Sequence, residues 1–310
     1  MNNNVKNQIA EGLNAYMEQH SISANKIAAK TKVNPAYISV IRAKKFYTVV
    51  GEKEVAISDK YFQILAEFIG LPLEKNNWQN VATDQFKRIM ATLEDAREYG
   101  YTNVIIGETG CGKTHAARLF ANVYPNDTII ITVGSSDNIG DLIDKVIEAL
   151  HLVPPKTKSK KIREIIRGIK EMKHTGSKPM LIFDEAEYMK IPALCAMKEL
   201  YDNLSGIASI VMIGTDQLTR NLDKLRIKNR EGMPQLYRRI KFGIRQLPRV
   251  DREFKQFLNG HEPGLKRFLK QNCENYGELH DVLVPCMREA ERFGEPLTEQ
   301  FVRTILNMPK

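Results

Sequence analysis

The chain has 310 residues, of which 43% are hydrophobic and 27% are charged. This composition is ordinary for a globular protein, and it excludes a collagen-like repeat, a coiled-coil rod and global disorder. The 46 Lys and Arg residues outnumber the 37 Asp and Glu residues, which gives a formal charge of +9 and favours a polyanionic partner.

The sequence contains no feature of secretion or membrane insertion. Its first residues, MNNNVKNQIAEG, lack an apolar signal core, and no later stretch approaches the roughly 18 apolar residues of a membrane span. The cysteines Cys111, Cys195, Cys273 and Cys286 occur singly, without metal-ligand spacing. We therefore expect reduced thiols in a cytoplasmic protein that has no membrane partner.

Composition divides the chain into three regions. Residues 1–72 have the pattern of short amphipathic helices with a turn-like break at 49–51, and residues 71–77 are the best linker candidate. Residues 76–248 alternate apolar strand-like runs with helical segments, which predicts an α/β fold with a parallel sheet covered on both faces. The predicted strands are Val104–Gly107, Thr128–Val133, Met180–Asp184, Ile207–Gly214 and Ile240–Leu247. Residues 249–310 predict helices only, at Asp251–Leu258, Leu265–Asn275, Glu278–Phe293 and Thr298–Asn307.

Residues 21–45 carry a helix-turn-helix pattern. Four apolar positions are spaced so that two short helices share one core: Ile27, Val33, Ile38 and Ile41. Asn34 suits the cap of the second helix and Pro35 suits its first position. The exposed face of that helix predicts DNA contacts through Tyr37, Ser39, Arg42 and Lys44. The alternative is a small helical bundle that binds protein.

The most specific motif is GETGCGKT at residues 107–114, which lies between an apolar strand and a helical segment. It fits the phosphate-binding pattern G-x-x-x-x-G-K-[ST], in which glycines let backbone amides surround phosphate. Lys113 would bridge the terminal phosphates, and the Thr114 hydroxyl would hold Mg²⁺. We therefore predict ATP and Mg²⁺ as cofactors. The predicted nucleotide contacts are Gly107, Glu108, Thr109, Gly110, Cys111, Gly112, Lys113, Thr114 and His115.

Two basic runs follow the loop. Residues 156–173 contain 8 basic and 2 acidic residues, and residues 221–249 contain 9 basic and 2 acidic residues. One such run is usually a solvated helix face, but two in one region are typical of a surface that follows a DNA backbone. Aromatic residues are sparse in both runs, which favours duplex DNA over stacked single strands. The candidate phosphate contacts are Lys156, Lys158, Lys160 and Lys161.

The segment MLIFDEAE at 180–187 is an apolar strand that ends in acids. Asp184 would help to hold Mg²⁺, and Glu185 would polarise the water that attacks the γ-phosphate. The alternative is a pair of solvated acids. A later strand, IVMIGTDQ, ends at Thr215, which we predict to contact the γ-phosphate or the attacking water, whereas Asp216 would cap the next helix.

The set GETGCGKT, LIFDEAE, VMIGT and LYRRI, followed by helices, resembles the AAA+ ATPase module. The resemblance implies a core at 76–248 and a helical lid at 249–310. It also implies that Arg239 is an arginine finger that reaches a neighbouring subunit's site, with Arg238 as the alternative. The sequence departs from the family at His280, where the lid usually carries an arginine.

Over nearly the full chain, the order of helix-turn-helix, linker, phosphate loop, basic stretch and DEAE strand resembles the Mu B-like transposition proteins, which are related to the IstB/TnsC group. The resemblance implies an ATP-dependent, largely nonspecific binder of double-stranded DNA. It further implies self-assembly into a helical filament or ring, delivery of target DNA to a DDE transposase, and hydrolysis stimulated by DNA and by that transposase.

Two other functions compete with this interpretation. A helicase loader or replication initiator of the IstB/DnaC kind is also an AAA+ protein that binds DNA, but an N-terminal helicase-binding segment is expected there. A nucleotide-sensing transcription regulator is the second alternative. The sequence lacks the GAFTGA loop of sigma-factor activators, whose DNA-binding helices usually come last.

Overall fold

The computed structural model describes residues 3–50, 53–71, 78 and 80–308. The chain divides into two compact units, Met1–Asn76 and Asn77–Lys310. Residues 72–77 of the predicted linker, and residue 51 of the predicted break, lie outside the described residues. Within the described ranges, no helix combines the length and the apolar character needed to cross a bilayer.

The first unit is built around its own apolar core. Its elements are α1 (Asn3–Gln19), α2 (Ala24–Thr31), α3 (Pro35–Arg42), β1 (Tyr47–Val50), β2 (Lys53–Ala56) and α4 (Asp59–Phe68). The side chain of Asn34 accepts from the Ala36 amide, and Pro35 is the first residue of α3. These start signals therefore act as predicted. The four apolar positions of the helix-turn-helix pattern are all buried in one cluster with residues of α1 and α4.

One element of the first unit was predicted wrongly. A turn-like break among short helices was expected at residues 49–51, but strands lie on either side of it: β1 and β2 form an antiparallel hairpin in which Tyr47 pairs with Ala56. Its strands contain the β-branched residues Thr48 and Val55, which favour extended backbone. The hairpin joins the core because Phe46, just before β1, packs edge-on against Phe62 of α4.

The second unit is a three-layer α/β structure. It begins with α5 (Asp84–Tyr99), β3 (Thr102–Ile106), α6 (Lys113–Val123), β4 (Thr128–Thr132), α7 (Ile139–Ala149) and α8 (Lys158–His174). It continues with β5 (Met180–Asp184), α9 (Ile191–Leu204), β6 (Ser209–Gly214), α10 (Asp216–Ile227), α11 (Met233–Ile240) and β7 (Ile244–Gln246). It ends with α12 (Pro263–Asn272), α13 (Tyr276–Phe293) and α14 (Glu299–Ile305).

The five strands form one parallel sheet in the order β4-β5-β6-β3-β7. Successive side chains of a strand point to opposite faces, so each strand supplies two cores. In β5, Leu181 and Phe183 pack with α7 to α11, whereas Met180 and Ile182 pack with α5, α6 and the C-terminal helices. Burial on both faces explains why these strands are continuous apolar runs. The predicted α/β fold with a parallel sheet is therefore confirmed.

Two predicted elements differ from the structure. The expected strand Ile240–Leu247 is reduced to β7, because Ile240 completes α11 and residues 241–243 form a 3-10 turn. The expected helix Asp251–Leu258 is a series of turns. There the Asp251 carboxylate accepts from the Glu253 amide, and Phe254 adopts a left-handed backbone with φ +47°. A side chain that binds its own backbone competes with helix formation.

Candidate functional site

The phosphate-binding motif forms a loop between β3 and α6, at the carboxyl edge of the sheet. Gly110 and Gly112 have φ angles of +72° and +90°, a left-handed backbone that glycine adopts without strain. The Gly107 amide donates to the Gly214 carbonyl at 3.1 Å, which joins the loop to the end of β6. The glycines therefore occupy the positions where the loop needs them.

Lys113 is the first residue of α6 and its side chain turns back into the loop. Its Nζ donates to the carbonyl oxygens of Gly107 at 2.9 Å and Glu108 at 2.7 Å. Cys111 is buried beside it, and burial raises the pKa of that thiol despite the nearby Lys113 charge. An ammonium group enclosed by a left-handed glycine loop at a helix N-terminus is a suitable receptor for phosphate groups. Thr114 follows in the first turn of α6.

The two acids of the DEAE segment differ in their surroundings. Asp184 is only 2% exposed, and its Oδ1 accepts from the Glu185 amide at 3.0 Å. Glu185 is exposed, and its left-handed backbone, with φ +56°, is uncommon for a residue other than glycine. Such strain is often found at functional sites. The backbone thus turns one carboxylate inward and leaves the other open to solvent.

Thr215 lies at the end of β6, between the strand that precedes the loop and the strand that carries Asp184. It caps α10, because its hydroxyl accepts from the Gln217 amide at 3.4 Å, so Asp216 is not the cap that the sequence predicted. The Thr215 amide donates to Glu187 Oε2 at 3.4 Å. Glu187 connects the two strand ends, and sequence analysis did not single it out although it is the last acid of DEAE.

The C-terminal helices reach the phosphate loop through α13. The Gly277 amide at its start donates to the Gly110 carbonyl at 3.0 Å, and the Val250 amide donates to Glu108 Oε2 at 3.2 Å. Asn275, the cap of α13, lies so close that a Cβ on Gly110 would meet its Oδ1 at 2.0 Å. Neither Asn275 nor Gly277 was predicted, because contacts between distant segments leave no local pattern.

We expect Gly110→Ala to destabilise the protein by about 1–3 kcal/mol, since the new methyl group combines backbone strain with overpacking against Asn275. Gly176→Ala is the matched control: φ there is +91° and a Cβ would meet nothing within 4 Å. Denaturant midpoints of both variants measure the difference. Equal destabilisation of the two variants would mean that the loop does not support α13.

Arg238 and Arg239, at the end of α11, have different surroundings. Arg239 Nε donates to Asp202 Oδ1 on α9 at 2.6 Å, and its Nη1 donates to the Gln235 carbonyl at 2.9 Å. Arg238 is exposed, and within the described residues it makes no hydrogen bond or ion pair. His280, where the resemblance led us to expect a lid arginine, packs edge-to-face with the Trp78 ring, with 5.1 Å between ring centroids.

Comparison with known proteins agrees with this geometry. Residues 96–222 match the family model described as AAA domain. This match covers 127 of the 310 residues. No curated protein sequence matches the chain.

Solved structures with a similar fold include the following two proteins. The Cdc6p structure from Pyrobaculum aerophilum has a TM-score of 0.54 and 14% identity, over 72% of this chain and 66% of that chain. The Aeropyrum pernix ORC2 protein, as ADPNP-ADP complexes, has a TM-score of 0.51 and 15% identity, over 71% of this chain and 65% of that one. This chain thus spans about two thirds of their length. At such low identity, the likeness shows a similar fold and nothing further.

The lysines that were predicted to contact DNA from the second unit lie just before and within the first turn of α8. Lys156, Lys158 and Lys160 are exposed, whereas Lys161 is half-buried and paired with Asp144. The first turn of α8 contains no acidic residue. Cations at a helix N-terminus oppose the helix dipole, so this concentration of lysines is unfavourable unless an anion is bound there.

In the first unit, the predicted DNA contacts are partly engaged in its own structure. Tyr37 packs edge-on against Tyr61, and Arg42 Nε donates to Asn14 Oδ1 at 2.7 Å. Lys44 forms a 2.6 Å ion pair with Glu11. Ser39 is exposed, and its hydroxyl donates to the Pro35 carbonyl at 3.1 Å. The four residues therefore differ in how freely they can meet a ligand.

Proposed function

We propose that the protein is an ATP-hydrolysing AAA+ ATPase that binds double-stranded DNA. One observation carries the proposal: the phosphate loop with Lys113, the acids Asp184 and Glu185, and Thr215 lie at the carboxyl ends of three strands, β3, β5 and β6. Carboxyl ends of parallel strands share one edge of a sheet, where α/β proteins bind their ligands. Supporting this, the ORC2 structure of similar fold contains nucleotides.

Each residue would have a distinct role at this edge. The loop amides and Lys113 would bind the phosphates of ATP. His115, in the first turn of α6, would also contact the nucleotide. Thr114 and Asp184 fit Mg²⁺, because a hard cation that also binds phosphate oxygens needs few protein oxygens. When bound, Mg²⁺ neutralises charge on the phosphates.

Glu185 would take the proton of the attacking water, since its carboxylate is exposed at the edge while Asp184 is held by the backbone. Thr215 would orient that water or the γ-phosphate. Glu187 would hold the Thr215 backbone in place through its 3.4 Å hydrogen bond.

DNA binding would come from phosphate contacts. The start of α8 presents Lys156, Lys158 and Lys160 to solvent, and the first unit contributes a helix-turn-helix with exposed Ser39. Contacts to phosphate position a protein on DNA without reading its sequence. The DNA affinity is therefore expected to depend strongly on salt and weakly on sequence.

We expect that neutralising Lys156, Lys158, Lys160 and Lys161 together weakens ATP-dependent duplex binding equally on unrelated sequences. The slope of log K against log salt should become shallower by about 0.9 for each DNA phosphate that the variant no longer neutralises. Fluorescence anisotropy over a salt series measures both quantities. A tight site whose affinity collapses on single base changes would instead favour the transcription regulator.

Two cellular roles are candidates for such a DNA-binding ATPase. The first is a target-DNA activator that assembles on duplex and delivers it to a DDE transposase, which the order of motifs along the chain supports. The second is a replication initiator or helicase loader, which the similarity of fold to Cdc6p and ORC2 favours. Electron microscopy of the protein on duplex DNA, with and without ATP, tests the difference. Continuous ATP-dependent filaments on any sequence support the activator, whereas isolated complexes at particular sequences support the initiator.

A further inference from the structure

Two exposed tyrosines flank the turn that leads into β3. Tyr99, the last residue of α5, is 62% exposed, and Tyr101, just before β3, is 52% exposed. Their rings stack on each other, with 5.4 Å between centroids and 27° between planes. Their backbone is fixed, because Gly100 turns the chain with φ +68° and the Tyr101 carbonyl accepts from the Ile210 amide at 3.4 Å. The pair is therefore held in place without being covered.

A third exposed aromatic side chain lies at the same end of the sheet. Phe242 is 81% exposed and lies just before β7, the strand that neighbours β3. Gly243 approaches β3 so closely that a Cβ there would meet the Thr102 carbonyl oxygen at 2.3 Å, which places Phe242 beside the start of β3. We call Tyr99, Tyr101 and Phe242 the aromatic edge. Exposed apolar groups that cluster in this way mark a surface that binds a partner.

The charged groups beside the aromatic edge give it a positive surplus. Lys241 Nζ lies 4.5 Å from the centroid of the Phe242 ring, and Arg245 Nη1 donates to the Phe242 carbonyl at 2.8 Å. Both cations are exposed, and within the described ranges neither forms an ion pair. The acid near the end of α5, Glu98, is neutralised by its ion pair with Lys178. The aromatic edge therefore combines flat apolar rings with positive charge that no acid balances.

This combination matches the chemistry of a single nucleic-acid strand, which offers phosphates to cations and unpaired base faces to aromatic rings. Duplex DNA keeps its base faces stacked inside the helix. The centres of protein interfaces are depleted in lysine, whereas here Lys241 lies directly over an aromatic ring. An unpaired strand therefore fits the aromatic edge better than a duplex or a protein does.

We infer that the aromatic edge binds an unpaired nucleic-acid strand, with bases stacked on its three rings and phosphates held by Lys241 and Arg245. The inference goes beyond the proposed function, which concerns duplex DNA. The phosphate loop lies at the carboxyl end of β3, whereas the aromatic edge lies at its amino end. Binding of the strand should therefore need no ATP.

The first test measures fluorescence anisotropy of labelled oligothymidylate, without nucleotide, on a strand of about 20 nucleotides, which exceeds typical site sizes. Tyr101→Ala and Phe242→Ala should each weaken binding about 5- to 150-fold, the range that one base–aromatic stack contributes. Tyr101→Phe keeps the ring and should bind as wild type does. Phe293→Ala is the matched control, because Phe293 is 60% exposed and lies 5.8 Å from the Arg292 guanidinium, but at the end of α13. It should leave binding unchanged, and melting temperatures verify that every variant is folded.

The second test separates stacking from charge with an abasic strand of the same length, which has phosphates but no bases. Tyr101→Ala should bind the abasic strand as tightly as wild type does, because no base is there to stack. Lys241→Gln should weaken binding of both strands and make the slope of log K against log salt shallower by about 0.7 for the phosphate that it no longer neutralises. Comparison with oligouridylate then shows whether DNA or RNA is the preferred strand.

Three results would overturn the inference. The first is wild-type affinity for oligothymidylate in a variant that lacks all three rings. The second is weaker self-association of that variant in sedimentation with unchanged strand binding, which would make the aromatic edge a contact between copies of this chain. The third is polyglutamate that binds wild type as tightly as the strand does and is lost in Tyr101→Ala, which would favour an acidic protein. Lys113→Ala should bind the strand as wild type does, so failure of the proposed ATPase function would leave these results intact.

Discussion

Glu185→Gln is expected to reduce ATP hydrolysis by about 10²- to 10⁴-fold, which is the range that a positioned general base contributes. ATP binding should remain, because the carboxylate acts on water and the phosphates are held by the loop and Lys113. Single-turnover hydrolysis and equilibrium binding of labelled ATP measure the two effects separately. Since the ATP state would persist, the variant should also stay on duplex DNA longer than wild type.

Glu171→Gln is the matched control, because Glu171 is an exposed acid on α8 that pairs with Arg167, away from the phosphate loop. It should hydrolyse ATP as wild type does. Wild-type hydrolysis by Glu185→Gln would show that another group activates the water.

Lys113→Ala is expected to weaken ATP binding by about 10- to 150-fold, which corresponds to the roughly 1.5–3 kcal/mol of a hydrogen bond to a charged group. The effect should extend to ATP-dependent DNA binding, since the nucleotide-bound state would no longer be populated. Equilibrium binding of a fluorescent ATP analogue measures the loss of ATP affinity. Lys173→Ala, which removes an exposed lysine on α8, is the control. Undiminished affinity in Lys113→Ala would place the nucleotide elsewhere.

The parts of the fold that follow from local chemistry were predictable. β5 has the predicted bounds, because a strand buried on both faces leaves an unbroken apolar run bounded by polar residues. The start of α3 was predictable for a similar reason: Asn34 and Pro35 act within one turn of backbone. The phosphate loop was recognisable because its chemistry requires glycines at fixed spacing.

The remaining features depend on contacts between distant segments. The Gly110–Gly277 hydrogen bond and the ion pair of Arg239 with Asp202 join residues that no periodicity relates. The sequence therefore could not distinguish Arg238 from Arg239, which have the same chemistry and adjacent positions. The strand order β4-β5-β6-β3-β7, which places Thr215 between the loop and Asp184, likewise appears only in three dimensions.

We propose that ATP hydrolysis at the carboxyl edge of the sheet requires neighbouring subunits on DNA. The direct measurement is the steady-state rate of MgATP hydrolysis per subunit, over a range of protein concentrations, with and without duplex DNA. Lys113→Ala provides the background. We predict that the rate per subunit rises with protein concentration and reaches half-maximum at lower protein when duplex is present. A rate per subunit that is independent of protein concentration and of duplex DNA, or that never exceeds the Lys113→Ala background, would contradict this requirement.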